Sequence, residues 1–285
     1  MTKQDLARRA VRAAATLRAE LGLGPTDPVC PFDVAEQMGI VVRLVALPSL
    51  EGMYSPEPRP AILVSVERPV GRRRYTCGHE LGHHVFGHGT RLDQLEDERT
   101  AAAWSPEEFL AQRFAAALMM PKFAVESAFV RRGWLLAEPT AEMVFIVAQE
   151  LGVGFTSLLE HLETTLGSVS GHVARTLRRT SLKKLRTALA RFTVSHDLLI
   201  VDNHWGRRSV DIEVGDVVLL PADATFHGGC AVLKSEPVPH LVASTSGSGR
   251  ISLGPAATEI MTRVSRRKFT GLARYRHLEE AVDET

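Results

Sequence analysis

Five residues constrain this chain more than any other stretch: His79-Glu80-Leu81-Gly82-His83, an H-E-x-x-H motif. On a helix, positions i and i+4 share one face, so two imidazoles at that spacing can grip one cation. Glu80 then lies beside the cation, placed to take a proton from a water held there. Zinc lowers the pKa of such a water to about 7, so hydroxide becomes available at neutral pH. The reaction this chemistry serves is amide hydrolysis. The motif is short and also arises on helix surfaces that bind nothing, so context has to decide. Tyr75, Val85 and Phe86 supply apolar surface beside the polar pair, as expected of a helix that crosses a core.

A third ligand is needed. The motif's helix is predicted to begin near Pro69 and run to about His88, before Gly89 and a charged segment, Asp93 to Thr100, read as a solvated loop or lid. Pro106 then sits where a first helical turn tolerates proline. The run from Glu107 to Met120 reads as a helix with Glu108 and Gln112 on one face, and with Leu110, Phe114, Ala117 and Leu118 on another. Helix, loop, helix lets the second pack antiparallel to the first, bringing an early carboxylate to the imidazoles. Glu108 is the expected ligand, with Gln112 one turn on to steady it. Glu107 competes, and both also fit as first-turn acids favoured by the helix dipole.

Upstream, residues 4–21 read as an amphipathic helix on Leu6, Val11, Ala14, Leu17 and Leu21, with Arg8, Arg9, Arg12 and Arg18 at the surface. Asp33 offers an N-cap, with Glu36 three residues on and Gly39 closing the helix. Ile40–Val45, Gly52–Tyr54 and Ala61–Val64 read as strands of a small antiparallel sheet beside the motif's helix. Such a sheet can hold a peptide as an added strand.

The 285 residues leave room for two or three domains. Cys30, Cys77 and Cys230 are odd in number and far apart, which argues against a disulfide framework and suits a reducing cytosol. The start lacks an apolar signal region, and no stretch approaches a membrane span, so a cytoplasmic protein is expected.

Arg74-Tyr75-Thr76-Cys77-Gly78-His79-Glu80-Leu81-Gly82-His83 resembles the R-F-T-x-A-H-E-L-G-H block of the ImmA/IrrE family of metallopeptidases. The second run resembles that family's E-x-x-A-N-x-F-A-A-x-L-L-M-P block, with Glu108 in the ligand position. Departures are Gly78 for Ala, Gln112 for Asn and Met119 for Leu. The likeness extends from about residue 5 to 165. It implies an α+β fold in which a mostly helical, zincin-like metallopeptidase domain carries the small sheet. His79, His83 and Glu108 would bind Zn2+, the same donors also admitting Mn2+ or Fe2+, and Glu80 would be the general base. The implied substrate is an XRE-type helix-turn-helix repressor (DdrO-like), whose cleavage induces radiation, DNA-damage and desiccation genes.

Beyond the motifs, Ala148, Gly152 and Leu158 have helix-turn-helix spacing, with Val147, Leu151, Val153 and Leu162 to fill its core. The second helix, Thr156 to Leu166, carries Glu160, His161 and Glu163 and no Lys or Arg, so it is poorly equipped to hold phosphate. From His172 to Arg191 come Arg175, Arg178, Arg179, Lys183, Lys184, Arg186 and Arg191 with no acid: a solvated linker helix, or a patch for nucleic acid or an acidic partner. Arg263, Arg266, Arg267 and Lys268 form a similar cluster. Short strands are expected at Leu198–Val201, Asp216–Leu220, Cys230–Leu233, Leu241–Ser244 and Ile251–Leu253, then a helix from Pro255 to about Arg266. This is an α+β texture, and the resemblance implies a GAF-like domain able to take a small-molecule ligand. His196, His204, His227 and His240 are too scattered for a metal site.

The expected organisation is a metallopeptidase-like domain at 1–132, a helix-turn-helix at 133–168, a basic linker helix at 169–191 and a GAF-like sensor at 192–285. The rival function is a DNA-binding transcription regulator with a structural or vestigial metal site.

Overall fold

A capping box starts the first helix, α1 (Lys3–Glu20): Thr2 Oγ1 accepts from the Asp5 N–H, and the Asp5 carboxylate accepts from the Thr2 N–H. Leu6, Ala10, Ala14 and Leu17 are its buried row, while Val11 is exposed. Arg18, expected at the surface, is buried. Its guanidinium donates to the carbonyls of Leu118, Gly24 and Asp27, satisfying backbone groups that the chain leaves inside.

The computed structural model describes residues 2–94, 104–206, 209–254 and 258–278. The chain divides into two units. One is Met1–Ser127 with Leu151–Gly154 and Thr270–Arg274; the other is Ala128–Glu150 with Phe155–Phe269 and Tyr275–Thr285.

In the first unit, α2 (Pro31–Gln37) starts with proline at its first turn and Cys30 at the N-cap position. Asp33, expected to cap it, lies inside the first turn instead. A five-stranded sheet has the order β13 (Gly271–Leu272), β1 (Val41–Val45), β3 (Ala61–Ser65), β2 (Leu50–Ser55), β4 (Arg91–Gln94). The expected antiparallel sheet is corrected to a mixed one, because β1 pairs with β3 in parallel. Alternating apolar residues reveal a strand's buried face but not the direction of its neighbour. Helices α3 (Val70–Val85) and α4 (Pro106–Met119) complete the part that carries the motif, and α5 (Lys122–Val130) follows. Of the charged segment Asp93–Thr100, Asp93 lies in β4 and residues 95–103 lie outside the described residues.

The second unit holds α6 (Ala141–Leu151) up to Glu150, and α7 (Phe155–Glu160), which runs into a π turn at His161–Thr165. The two helical segments meet at 105°. Gly152 between them has φ +73°, a conformation glycine adopts without strain. Ala148, Leu158 and Leu162 are buried. The basic stretch is two short helices rather than one, α8 (Gly171–Arg178) and α9 (Leu182–Ala190), because Ser181 caps a fresh start by accepting from the Lys184 N–H.

Two four-stranded sheets follow. One has the order β5 (Leu198–Ile200), β7 (Val217–Leu219), β10 (His240–Ala243), β9 (Ala231–Lys234); the other has the order β6 (Val210–Glu213), β12 (Thr258–Ser265), β11 (Gly247–Leu253), β8 (Thr225–His227). They share a core that includes Val218, Leu241, Ile251, Ile260 and Val264. The expected helix after Pro255 is corrected to strand β12: Ile260, Thr262 and Val264 are buried at period two, and residues 255–257 lie outside the described residues. Among the described residues from 198 to 278 the regular elements are strands and a 3-10 turn at Ala273–Tyr275, with no α-helix. No single helix among the described residues is long and apolar enough to cross a membrane.

Candidate metal centre

Small residues let α3 and α4 approach closely. A Cβ added to Gly82 would lie 2.8 Å from Ala111 Cα, whereas one added to Gly78 would meet Met119 Sδ, the Ala115 methyl and Ala115 Cα at the ordinary contact distances of 3.4, 3.5 and 3.8 Å. These pairings run in opposite directions along the two chains, so the helices are antiparallel. Cys77 and Leu81 bury the inner face of α3, and Phe86 packs edge-on against Phe114, with ring centroids 5.9 Å apart. α4 starts at Ser105, whose hydroxyl accepts from the Glu108 N–H.

This packing brings three donors together. His79 Nε2 lies 3.1 Å from both Glu108 Oε2 and His83 Nε2, and His83 Nε2 lies 3.5 Å from the same carboxylate oxygen. Donors around a tetrahedral zinc with bonds of about 2.0–2.1 Å sit about 3.3–3.4 Å from one another. The three side chains therefore fit such an ion, and among the described residues they are the one His, Cys, Asp and Glu group able to hold one. His83 is fully buried, whereas the Glu108 side chain is 42% exposed, which leaves the site open on the carboxylate side. Glu108 is held well below the usual carboxylate range, chiefly by hydrogen bonds from the His79 and His83 rings.

Glu80 is fully buried beside this group. Gly52 of β2 makes room for it, since a Cβ there would overlap Glu80 Oε1 and Thr76 Cγ2. Two residues along the strand, Tyr54 Oη lies 2.9 Å from His84 Nδ1. At the far end of α3, Gly87 turns the chain back with φ +67°. The His88 N–H then donates to the His83 carbonyl at 3.0 Å, and the Gly87 N–H to that of His84. The turn also sets His88 Nδ1 2.9 Å from His83 Nδ1. Burial first, then neighbouring His83, brings His88 down to about 4, so its ring is neutral at pH 7.

Other expected residues fall elsewhere. Glu107 pairs with Arg91. Gln112 is exposed and accepts the Tyr75 hydroxyl at its main-chain carbonyl, so the expected support of Glu108 by Gln112 is replaced by the two imidazoles. In the basic helices, Arg178 pairs with Glu163 and Arg186 with Asp197. Arg175, Arg179, Lys183, Lys184 and Arg191 are exposed without an acidic partner among the described residues. In the C-terminal basic cluster, Arg263 and Arg267 are tied to Asp211 and Asp216. His88 and Gly52 went unnoticed in the sequence. A glycine followed by histidine just past a helix end was the available sign for the first, and the second has no local sign.

No curated protein matches the chain. Residues 35–163, which contain His79, Glu80, His83 and Glu108, match the model of the Peptidase M78 family, described as the IrrE N-terminal-like domain. That match points to a metal-dependent protease and supports placing this part of the chain in the ImmA/IrrE family.

Proposed function

We propose that the chain is a zinc-type endopeptidase whose substrate is an XRE-type, DdrO-like repressor, and that cleavage induces genes for surviving radiation, DNA damage and desiccation. The observation that carries the peptidase reading is the convergence of His79, His83 and Glu108 on one point beside the buried Glu80. The repressor and the response come from the resemblance to IrrE (PprI), the radiation-response regulator of deinococci. Three buried cysteines, far apart in the sequence, suit a cytoplasmic setting.

His79, His83 and Glu108 would hold the cation, which when bound supplies a Lewis acid for the scissile carbonyl and an acidified water. Glu80 takes the proton from the attacking water and passes it to the leaving amine. Burial of this carboxylate on Gly52 fixes its direction and keeps bulk water from competing for the proton. Both edges of β2 are taken, by β3 and β4, so an added substrate strand would run along the outer edge of β4. In the second unit, a cavity of about 350 Å³ lined by Phe192, Ser195, Lys234, Glu236 and His240 offers room for a small-molecule ligand. The helix pair at 105° around Gly152 suits a helix-turn-helix used to dock the repressor.

The test is incubation of purified protein with candidate repressors, with and without zinc, followed by mass analysis of fragments. Glu80→Gln should keep the metal and abolish cleavage, because an amide cannot accept the proton. Cleavage by that variant at the wild-type rate would refute the reading. The exposed cations of α8 and α9 favour the rival, a DNA-binding regulator, which requires salt-sensitive, sequence-specific shifts of promoter DNA.

A further inference from the structure

We propose that His88 is a positioning residue for His83, accepting at Nδ1 the hydrogen bond that locks His83 in the tautomer whose Nε2 is free for a cation. The inference rests on the metal reading of the site. Two imidazole nitrogens 2.9 Å apart share a single proton, one donating and the other offering its lone pair. The remaining nitrogen of His83 identifies the donor. Its Nε2 faces His79 and Glu108, so with a cation held by the three side chains it is the ligating atom and carries no proton. The proton of a neutral His83 ring therefore sits on Nδ1, and His88 Nδ1 accepts it.

Among the described residues, His88 is the group set against His83 Nδ1. His83 is fully buried, so without His88 its Nδ1–H would be a buried donor away from water. Metal-bound histidines commonly give this proton to a carboxylate or a carbonyl. Here the acceptor is a neutral ring delivered by the end of α3 itself. Gly87 in the left-handed region sends the chain back over the last turn, and the same two residues are joined again through the His88 N–H and the His83 carbonyl. The Phe86 ring flanks the His88 ring, with centroids 5.9 Å apart, and limits its swing.

The test is zinc affinity, measured by competition with a chromophoric chelator, for wild type, His88→Ala and His88→Asn. Asparagine Oδ1 can occupy the place of the imidazole Nδ1 and accept the same bond. His88→Ala should bind zinc about 10- to 100-fold more weakly, and His88→Asn should recover most of that loss. A second measurement needs no variant: in the zinc-loaded protein, nitrogen-15 NMR should show a slowly exchanging His83 Nδ1 proton coupled across the bond to His88 Nδ1. Wild-type affinity in His88→Ala, equal losses in both variants, or a His83 Nδ1 proton with no coupling to His88 would overturn the assignment. Failure of the wild type itself to bind zinc would instead overturn the metal reading beneath it.

Discussion

Gly52 lies against Glu80 so closely that a single methyl group on the strand would occupy the space of the carboxylate oxygen. Gly52→Ala should therefore turn the Glu80 carboxylate away from the site. Displacing a reacting group by about 1 Å can cost on the order of 100-fold in rate. We expect a loss of that order in kcat for repressor cleavage, with zinc affinity close to wild type because Glu80 is not among the three donors. Steady-state kinetics beside a zinc titration check it; an equal loss of both would mean that the sheet, and not the carboxylate, had moved.

The two glycines of α3 should respond differently to one added methyl. At Gly82 the methyl meets the backbone of α4, which cannot swing aside, so Gly82→Ala should destabilise by about 1–3 kcal/mol, as overpacking does. It should also weaken zinc binding by parting the helices. Gly78→Ala meets a flexible methionine and another methyl at ordinary contact distance, and it replaces a helical glycine with a better helix former. Thermal unfolding should place Gly78→Ala at or above wild type and Gly82→Ala below it.

Neighbouring glutamates on α4 offer a sharper contrast. Glu108→Ala removes one of three converging donors and should greatly reduce zinc affinity. Glu107→Ala breaks a partly exposed pair with Arg91, worth about 0–1 kcal/mol, and should leave the affinity unchanged. Isothermal titration of both variants decides whether the ligand was assigned to the correct residue.

Zinc affinity should rise with pH through the near-neutral range. A cation competes with protons for the two imidazoles, so metal is released as the solution is acidified. Glu108, held well below the usual carboxylate range, stays ionised throughout that range and takes up no proton there. Any proton taken up as the metal leaves must therefore go elsewhere than to this carboxylate. Titrations at several pH values in buffers of different ionisation heat measure it.

Away from the site, Arg132 is 1% exposed and bonds both Glu150, equally buried, and Asp202. Arg132→Ala would leave buried carboxylate charge short of its partner, which costs about 3–5 kcal/mol. Chemical denaturation monitoring the second unit should show the loss, and zinc affinity of the first unit serves as the control.

The motif's helix could be read from the sequence because its information is local: four-residue spacing, apolar neighbours, and a glycine after Phe86. Pro106 at a first turn likewise announced α4. The choice between Glu107 and Glu108 depended on rotation about the helix axis, and the Arg91 side chain that draws Glu107 away belongs to strand β4, distant from α4 in the sequence. Gly52 carries no local mark, because its role exists only once β2 lies on α3. The segment after Pro255 misled for a related reason: Ile260, Thr262 and Val264 alternate, but Met261 and the basic residues after Val264 also suit a helix face. β-branching was the better guide.

Where Gly82 meets Ala111, the seam between α3 and α4 is backbone against backbone, so no change of rotamer can alter its width there. The bite offered to an ion is consequently set when the two helices fold together, like the jaws of a fixed gauge. The separation of the two helices, and with it the span that the three donors have to bridge, is in place before any cation arrives.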